Sequence, residues 1–301
     1  MDFIRDFSQI INSIKFDEGR KRIAFVCPSD EHSEYVVERC VEEGLADFIL
    51  FTEPGKTEIA YRLHKFAPEV VSIVECLSPK DASERAVEYA RLKQADVLMK
   101  GLVSTDILLK AVLDKEKGIL PKGRILTHIA AAEIPSYDHL LFFSDAAVIP
   151  RPTTEQFDAM VRYNVNLCHK MGIKTPRIAL IHFTEKNNPK FENTARYAEI
   201  KKRAENGVYG DVVIDGPMDV KSACDIGSCN DKGIISPING KADVLIMPNI
   251  ESGNVFYKTL TLFAGAINGG ILSGTDVPVV VTSRADSGLA KYYSLALACK
   301  A

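Results

Sequence analysis

No apolar run in the 301-residue sequence approaches the ~18 residues needed to span a bilayer as a helix. Residues 1–15 mix charges among their apolar positions and lack the uninterrupted apolar core of a secretory signal. Charge of one sign is also scarce: the net value is −3, which gives neither nucleic acid nor an anionic membrane a reason to bind. An anionic substrate must then be held by a local cluster of donors. No strand-like run is followed by a Walker loop or a glycine-rich dinucleotide fingerprint, so the usual phosphate cradles of nucleotide hydrolysis and hydride transfer are missing. No Gly-x-Ser-x-Gly elbow occurs, which argues against an α/β-hydrolase. The six histidines are dispersed, and the seven cysteines include no Cys-x-x-Cys pair. Cys224 and Cys229 come nearest, without a neighbouring histidine, and read as free thiols of a reducing, cytoplasmic compartment. No metal site is expected.

What is present describes an ordinary globular chain, 46% apolar and 26% charged. Its length exceeds one hydrophobic core and predicts two domains. Short β-rich runs alternate with helical periodicity almost from end to end. Strands are expected at 22–27, 48–52, 70–75, 96–100, 125–132, 140–143, 177–182, 212–215, 242–247 and 277–282. Helices are expected at 30–43, 58–66, 79–94, from about 104, and at 154–171, 192–205, 255–263, 266–271 and 286–298. Continuously apolar strands between helices predict an α/β fold with mostly parallel sheets covered on both faces. The proline pair Pro150 and Pro152 suggests a break between two halves at that point.

Ligands of such sheets sit beyond the carboxyl ends of the strands, and four strand ends stand out. At the first, Lys100-Gly101 turns into Ser104-Thr105, a helix entry that can cradle an anion, with Lys110 further along the helix. Capping by Ser104 explains the same residues. The second, Asp215-Gly216-Pro217, is a turn before it is anything else. In the third, Pro248-Asn249-Ile250-Glu251-Ser252-Gly253-Asn254, more small polar groups crowd one entry than a cap requires. Ligand contact and turn structure explain it equally. The fourth, Thr282-Ser283-Arg284-Ala285-Asp286, delivers a hydroxyl, a guanidinium and a carboxylate in one turn. Arginine offers phosphate a bidentate fork, while Asp286 suits either a base or a cap for the last helix.

With Ser144-Asp145-Ala146-Ala147, these segments make the chain resemble the phosphate acetyl/butyryl transferase family over nearly its whole length. The short length and the Thr-Ser-Arg-Ala-Asp form look like the butyryl branch. The resemblance implies a fold like that of isocitrate and isopropylmalate dehydrogenases, with the active site in a cleft between two α/β domains and the last helix returning to the first, so that 1–149 plus 287–301 would form one domain and 150–286 the other. It implies reversible conversion of butanoyl-CoA and phosphate to butanoyl phosphate and CoA by direct attack in a ternary complex. Coenzyme A would be a substrate, with no permanently bound cofactor, and the enzyme would be a homo-oligomer. Glycine-rich 265–270 would be suited to pack against a second copy. Ser283 and Arg284 match the family's active-site pair, and Lys110 falls where the acetyl branch carries a phosphate-contacting arginine. The acetyl branch's catalytic aspartate would fall near Ala290, leaving Asp286 as the nearest carboxylate. Phosphate-binding and substrate-binding roles would fall to Gly101, Ser104, Thr105, Lys110, Asp215, Asn249, Gly253 and Asn254. The competing readings are a phosphate acetyltransferase, a metal-dependent dehydrogenase of the same fold using Asp211, Asp215 and Asp219, and a non-catalytic CoA sensor.

Overall fold

A computed structural model describes residues 3–15, 19–282 and 286–301. The chain divides into two compact units, Phe7–Leu126 with Gly269–Ala301, and Met1–Asp6 with Thr127–Asn268. We call them the amino-terminal and central units.

The amino-terminal unit contains α1 (Phe7–Lys15), β1 (Lys21–Val26), α2 (Glu31–Glu42), β2 (Ala46–Thr52), α3 (Glu58–Phe66), β3 (Val71–Glu75), α4 (Pro79–Arg91), β4 (Val97–Lys100) and α5 (Thr105–Val112). The central unit contributes β5 (Thr127–Glu133), β6 (Leu141–Ser144), α6 (Thr154–Lys170), β7 (Arg177–Ile181), α7 (Glu192–Glu205), β8 (Val213–Met218), α8 (Val220–Cys224), α9 (Ile226–Lys232), β9 (Val244–Ile246) and α10 (Ile250–Phe263). The chain then returns through β10 (Ile267–Ser273), β11 (Val279–Val280) and α11 (Gly288–Lys300).

In the amino-terminal unit the strands run β3-β2-β1-β4-β11-β10, parallel except for the antiparallel β10–β11 pair. β1 and β4 bury nearly every side chain, as strands covered on both faces must. Helix starts follow from local chemistry. Asp30 accepts from Ser33 N at the head of α2, and Ser78 accepts from Asp81 N with Pro79 opening α4. α1 forms because Phe7, Ile10, Ile11 and Ile14 make one buried stripe. α11 packs against α1 and α2. Its Tyr292 hydroxyl donates to Glu43 at 2.9 Å, and buried Lys291 reaches Asp30 at 3.1 Å.

Three expectations need correction. The stretch 266–271 is not helical: α10 stops at Ala264 and Gly265 (φ 63°), and the chain continues as β10. A Cβ on Gly269 would lie 3.1 Å from the Tyr293 backbone, so this glycine serves close packing inside the unit. The regular part of the last strand is only Val279–Val280, and the last helix starts at Gly288, capped by Ser287. The units divide at 126/127 and 268/269 rather than at 149/150 and 286/287. The reason is pairing: β5 joins β6 and β6 joins β9, so residues 127–144 belong to the central sheet, ordered β5-β6-β9-β7-β8.

The central core holds one buried charge cluster. Asp243, 1% exposed, accepts from Arg177 N (2.7 Å) and Nε (3.1 Å), with His139 Nε2 at 3.1 Å. Burial pushes the Asp243 carboxyl up, but His139 and Arg177 outweigh it and hold the group below the usual range. Burial would lower His139, but Asp243 and Asp138 outweigh it and raise its pKa. The Asp243 contribution to stability is therefore complete above its unfolded value of ~3.9 and fades as pH falls through its lower folded value. That of His139 is complete below ~6.5 and fades as pH rises through its raised folded value. Urea unfolding at a series of pH values is expected to show both declines. His139→Gln should abolish the alkaline-side decline and also reduce the acid-side one, because His139 helps hold Asp243 low.

Candidate active site

Two groups of strand ends carry the candidate residues, one in each unit. In the amino-terminal unit, β1, β4 and β11 run parallel, so their carboxyl ends share one edge, with Val26 beside Lys100 and Val280 beside Met99. Two residues beyond each of the last pair lie Gly101 and Thr282. Ser283 and Arg284 follow and lie outside the described residues. The β4–α5 turn is tightly set. A Cβ on Gly101 would sit 2.3 Å from the Cys27 carbonyl oxygen, which excludes any side chain there. Lys100, 3% exposed, donates through Nζ to the carbonyls of Gly101 (3.2 Å) and Val103 (3.1 Å). Sequence reasoning missed this lysine as a positioning group, although a lysine closing an apolar strand was a visible signal.

Ser104 occupies the cap position of α5 but makes no side-chain capping bond, and Thr105 is the first helical residue. The α5 entry thus keeps the electropositive character of a helix start, moderated by Asp106 in its first turn. Lys110 stands in the last turn of α5 and lines a separate groove toward α4, with Ile107 and Arg85; Gly101, Ser104 and Thr105 are not part of that lining. Asp286 is half-buried. The cap of α11 comes instead from Ser287, whose hydroxyl accepts from Ala290 N at 3.2 Å.

In the central unit, Asp215 accepts from Lys201 Nζ (2.6 Å) and from Gly216 N (2.8 Å). Burial pushes its carboxyl up, but Lys201, Ser236 and Gly216 outweigh that and hold it below the usual range. Asn249 caps α10 by accepting from Ser252 N at 2.8 Å. Asn254 Nδ2 donates to the Ala146 carbonyl at 3.2 Å, and a Cβ on Gly253 would sit 2.1 Å from the Asp145 carbonyl oxygen. The crowded polar entry therefore seats the first turn of α10 on the 144–147 turn. Asp145 anchors that turn: fully buried, it accepts from Thr127 Oγ1 and His128 N (both 2.8 Å) and from Ala147 N and Val148 N (both 2.7 Å). Both quoted turns contain a cis peptide, at Ser144–Asp145 and at Gly216–Pro217.

The three carboxylates of the dehydrogenase reading do not converge. Asp211 accepts from Thr175 at 2.5 Å, Asp215 is paired with Lys201, and Asp219 caps α8 and pairs with Lys232. Among the described residues no group of His, Cys, Asp and Glu is arranged to hold a metal ion. Covalent catalysis by a thiol also lacks support. Burial pushes the Cys27 thiol up to about 12 and the Cys224 thiol to about 11, so neither supplies a thiolate near neutrality.

A family model described as phosphate acetyl/butaryl transferase matches residues 77–299. The sequence is 38% identical over 297 residues to a phosphate butyryltransferase of Clostridium acetobutylicum, covering 98% of this chain and 97% of that protein. It is 35% identical to a phosphate acetyltransferase of Thermotoga maritima, covering 92% and 94% of the two chains. The crystal structure of a branched-chain phosphotransacylase from Enterococcus faecalis V583 superposes with a TM-score of 0.82 at 29% identity, covering 93% of this chain and 98% of that one. The α/β units and strand-end turns are thus those of a class of acyl-transferring enzymes. The chain belongs to the phosphate acetyl/butyryl transferase family, and it is a phosphate acyltransferase.

Proposed function

We propose that the chain interconverts butanoyl-CoA plus phosphate with butanoyl phosphate plus CoA, in the cytoplasm, as a homo-oligomer and without a resident cofactor. The observation that carries the site assignment is the α5 entry, where a serine in the cap position leaves its hydroxyl uncommitted to capping beside the strand leading to Ser283-Arg284. In this reading Arg284 and the Ser104-Thr105 entry hold the phosphoryl group, and Lys110 adds positive charge along the same helix. Ser283 donates to the developing oxyanion. Asp215, Asn249, Gly253 and Asn254 supply the frame of the central unit's strand ends. The greater identity to the butyryltransferase than to the acetyltransferase supports the butanoyl group, with acetyl as the alternative.

In the direction that consumes acyl phosphate, the CoA thiolate attacks the carbonyl carbon, the carbon–oxygen bond to phosphate breaks, and phosphate leaves with the electron pair. A thiol of pKa ~8.5 facing an ordinary carboxylate of ~3.9 makes full proton transfer uphill by about 6 kcal/mol. In this reading Asp286 orients the thiol, while positioning and electrostatic stabilisation supply most of the rate. The direct test is thiol release from butanoyl-CoA with and without phosphate. Release that requires phosphate is expected. Equal release without it would mean hydrolysis, and none with any short acyl-CoA would sink the reading.

A further inference from the structure

The central unit holds a second strand-end feature, which shares Pro248 and Asn249 with the third motif above and is otherwise built from residues outside the motifs. A cavity of about 410 Å³ opens where β7 and β9 end, with Arg151, His182, Lys190, Phe191, Glu192 and Arg196 in its lining. That size suits a small ligand or one end of a larger one. Its charge is lopsided: three cations face one carboxylate. Glu192 is neutralised by Arg196 at 2.7 Å, and Arg196 is fixed further by donating to the Pro152 carbonyl at 2.9 Å. The side chains of Arg151 and Lys190 have no such tie among the described residues.

Two further observations point to an anion. The 14-residue α7 begins at this cavity, and Phe191 at its cap position makes no side-chain bond to the first turn. The ring of His182, 9% exposed, also lines the cavity, and its buried Nδ1 has no hydrogen-bond partner. A buried polar atom without a partner costs stability unless something else satisfies it. Beside these groups stands an aromatic cluster. Phe183, 69% exposed, meets Phe191 edge-to-face at 4.9 Å and lies 4.7 Å from the His182 ring. A large apolar ring left open beside free cations is the pattern that takes a base and its phosphate together.

We propose that this pocket binds the phosphorylated adenosine end of a ligand. Arg151, Lys190 and the start of α7 hold the phosphate, and Phe183 with Phe191 contacts the base. Two sources share that chemistry: the 3′-phosphoadenosine end of coenzyme A, which rests on the function proposed above, and a free adenosine nucleotide.

The probe is adenosine 3′,5′-bisphosphate, titrated calorimetrically into the full chain. Binding by the wild type is expected, weakened at least tenfold in the double variant Arg151→Ala/Lys190→Ala and roughly tenfold in Phe183→Ala. These side chains are exposed or make no contact that holds the fold, and a circular-dichroism melt confirms folding. If the source is coenzyme A, the double variant should raise KM for CoA about tenfold while leaving the KM for phosphate unchanged. It should also erase the difference between CoA and 3′-dephospho-CoA. If bisphosphate binding falls in the variants while both CoA constants stay put, the site stands and its ligand is a free nucleotide. If the chain turns over no acyl-CoA yet binds bisphosphate in this way, the site stands and the proposed function falls. No bisphosphate binding by the wild type, or equal binding by the variants, overturns the proposal.

Discussion

Replacing Ser283 or Arg284 by alanine is expected to lower kcat for acyl transfer ~100- to 1,000-fold, about 2.7–4 kcal/mol of transition-state stabilisation for a single donor. The expectation rests on what surrounds the pair in sequence and register. An apolar strand leads to it, and Val280 lies beside Met99 on a parallel neighbour whose own exit carries the uncapped entry of α5. In the proposed reaction, charge that develops on the carbonyl and phosphoryl oxygens would meet the donors of this pair, and stabilisation of that charge is where an enzyme gains most. Arg284→Lys should recover only part of the loss, because an ammonium keeps the charge but not the planar fork. Steady-state kinetics in both directions, on variants shown by circular dichroism to be folded, checks this. Turnover within a few fold of wild type for both alanine variants would place the chemistry elsewhere.

Asp145→Asn is expected to destabilise the central unit by about 2–4 kcal/mol, read as a lower urea midpoint at unchanged slope. The carboxylate accepts from four donors in a fully buried setting, two on each oxygen. An amide can present only one oxygen, so its NH2 must face donors whichever way it is turned. At least one buried N–H or O–H then loses its acceptor. The damage should reach α10, because Gly253 sits against the Asp145 carbonyl and Asn254 is tied to Ala146. An unchanged midpoint for Asp145→Asn would show that the four-donor cage contributes little.

The sequence made the architecture readable wherever a local signal was strong. The apolar runs at 23–26 in β1 and 97–99 in β4, and the Ser78-Pro79 start of α4, were such signals. The reading failed where tertiary packing decided. Residues 266–271 carry glycines that fit no period, and they are extended because Gly269 must pass beneath the α11 backbone. The boundary near residue 127 was hidden because β5 and β6 look like a continuation of what precedes them. Only their pairing with β9 assigns them to the central unit. Motif glycines and polar residues drew attention for the right turns, yet Asn249, Gly253 and Asn254 make structural contacts that no single sequence reveals. Arg151, from the β6–α6 connection, meets His182 and Lys190, from the β7–α7 connection, only through folding, so no spacing could have grouped all three.

The return of the chain after residue 268 has a consequence for biosynthesis. β4 lies between β1 and β11 in the finished sheet, and α11 covers α1 and α2. Until the ribosome has released the last thirty or so residues, β4 is a bare edge and those two helices lack their cover. Apart from residues before Phe7, the central unit is one unbroken stretch, Thr127–Asn268, and can close while synthesis continues. The part of the molecule made first is thus the part completed last. A nascent chain halted at residue 268 should be trimmed by protease to a resistant fragment that begins near residue 127.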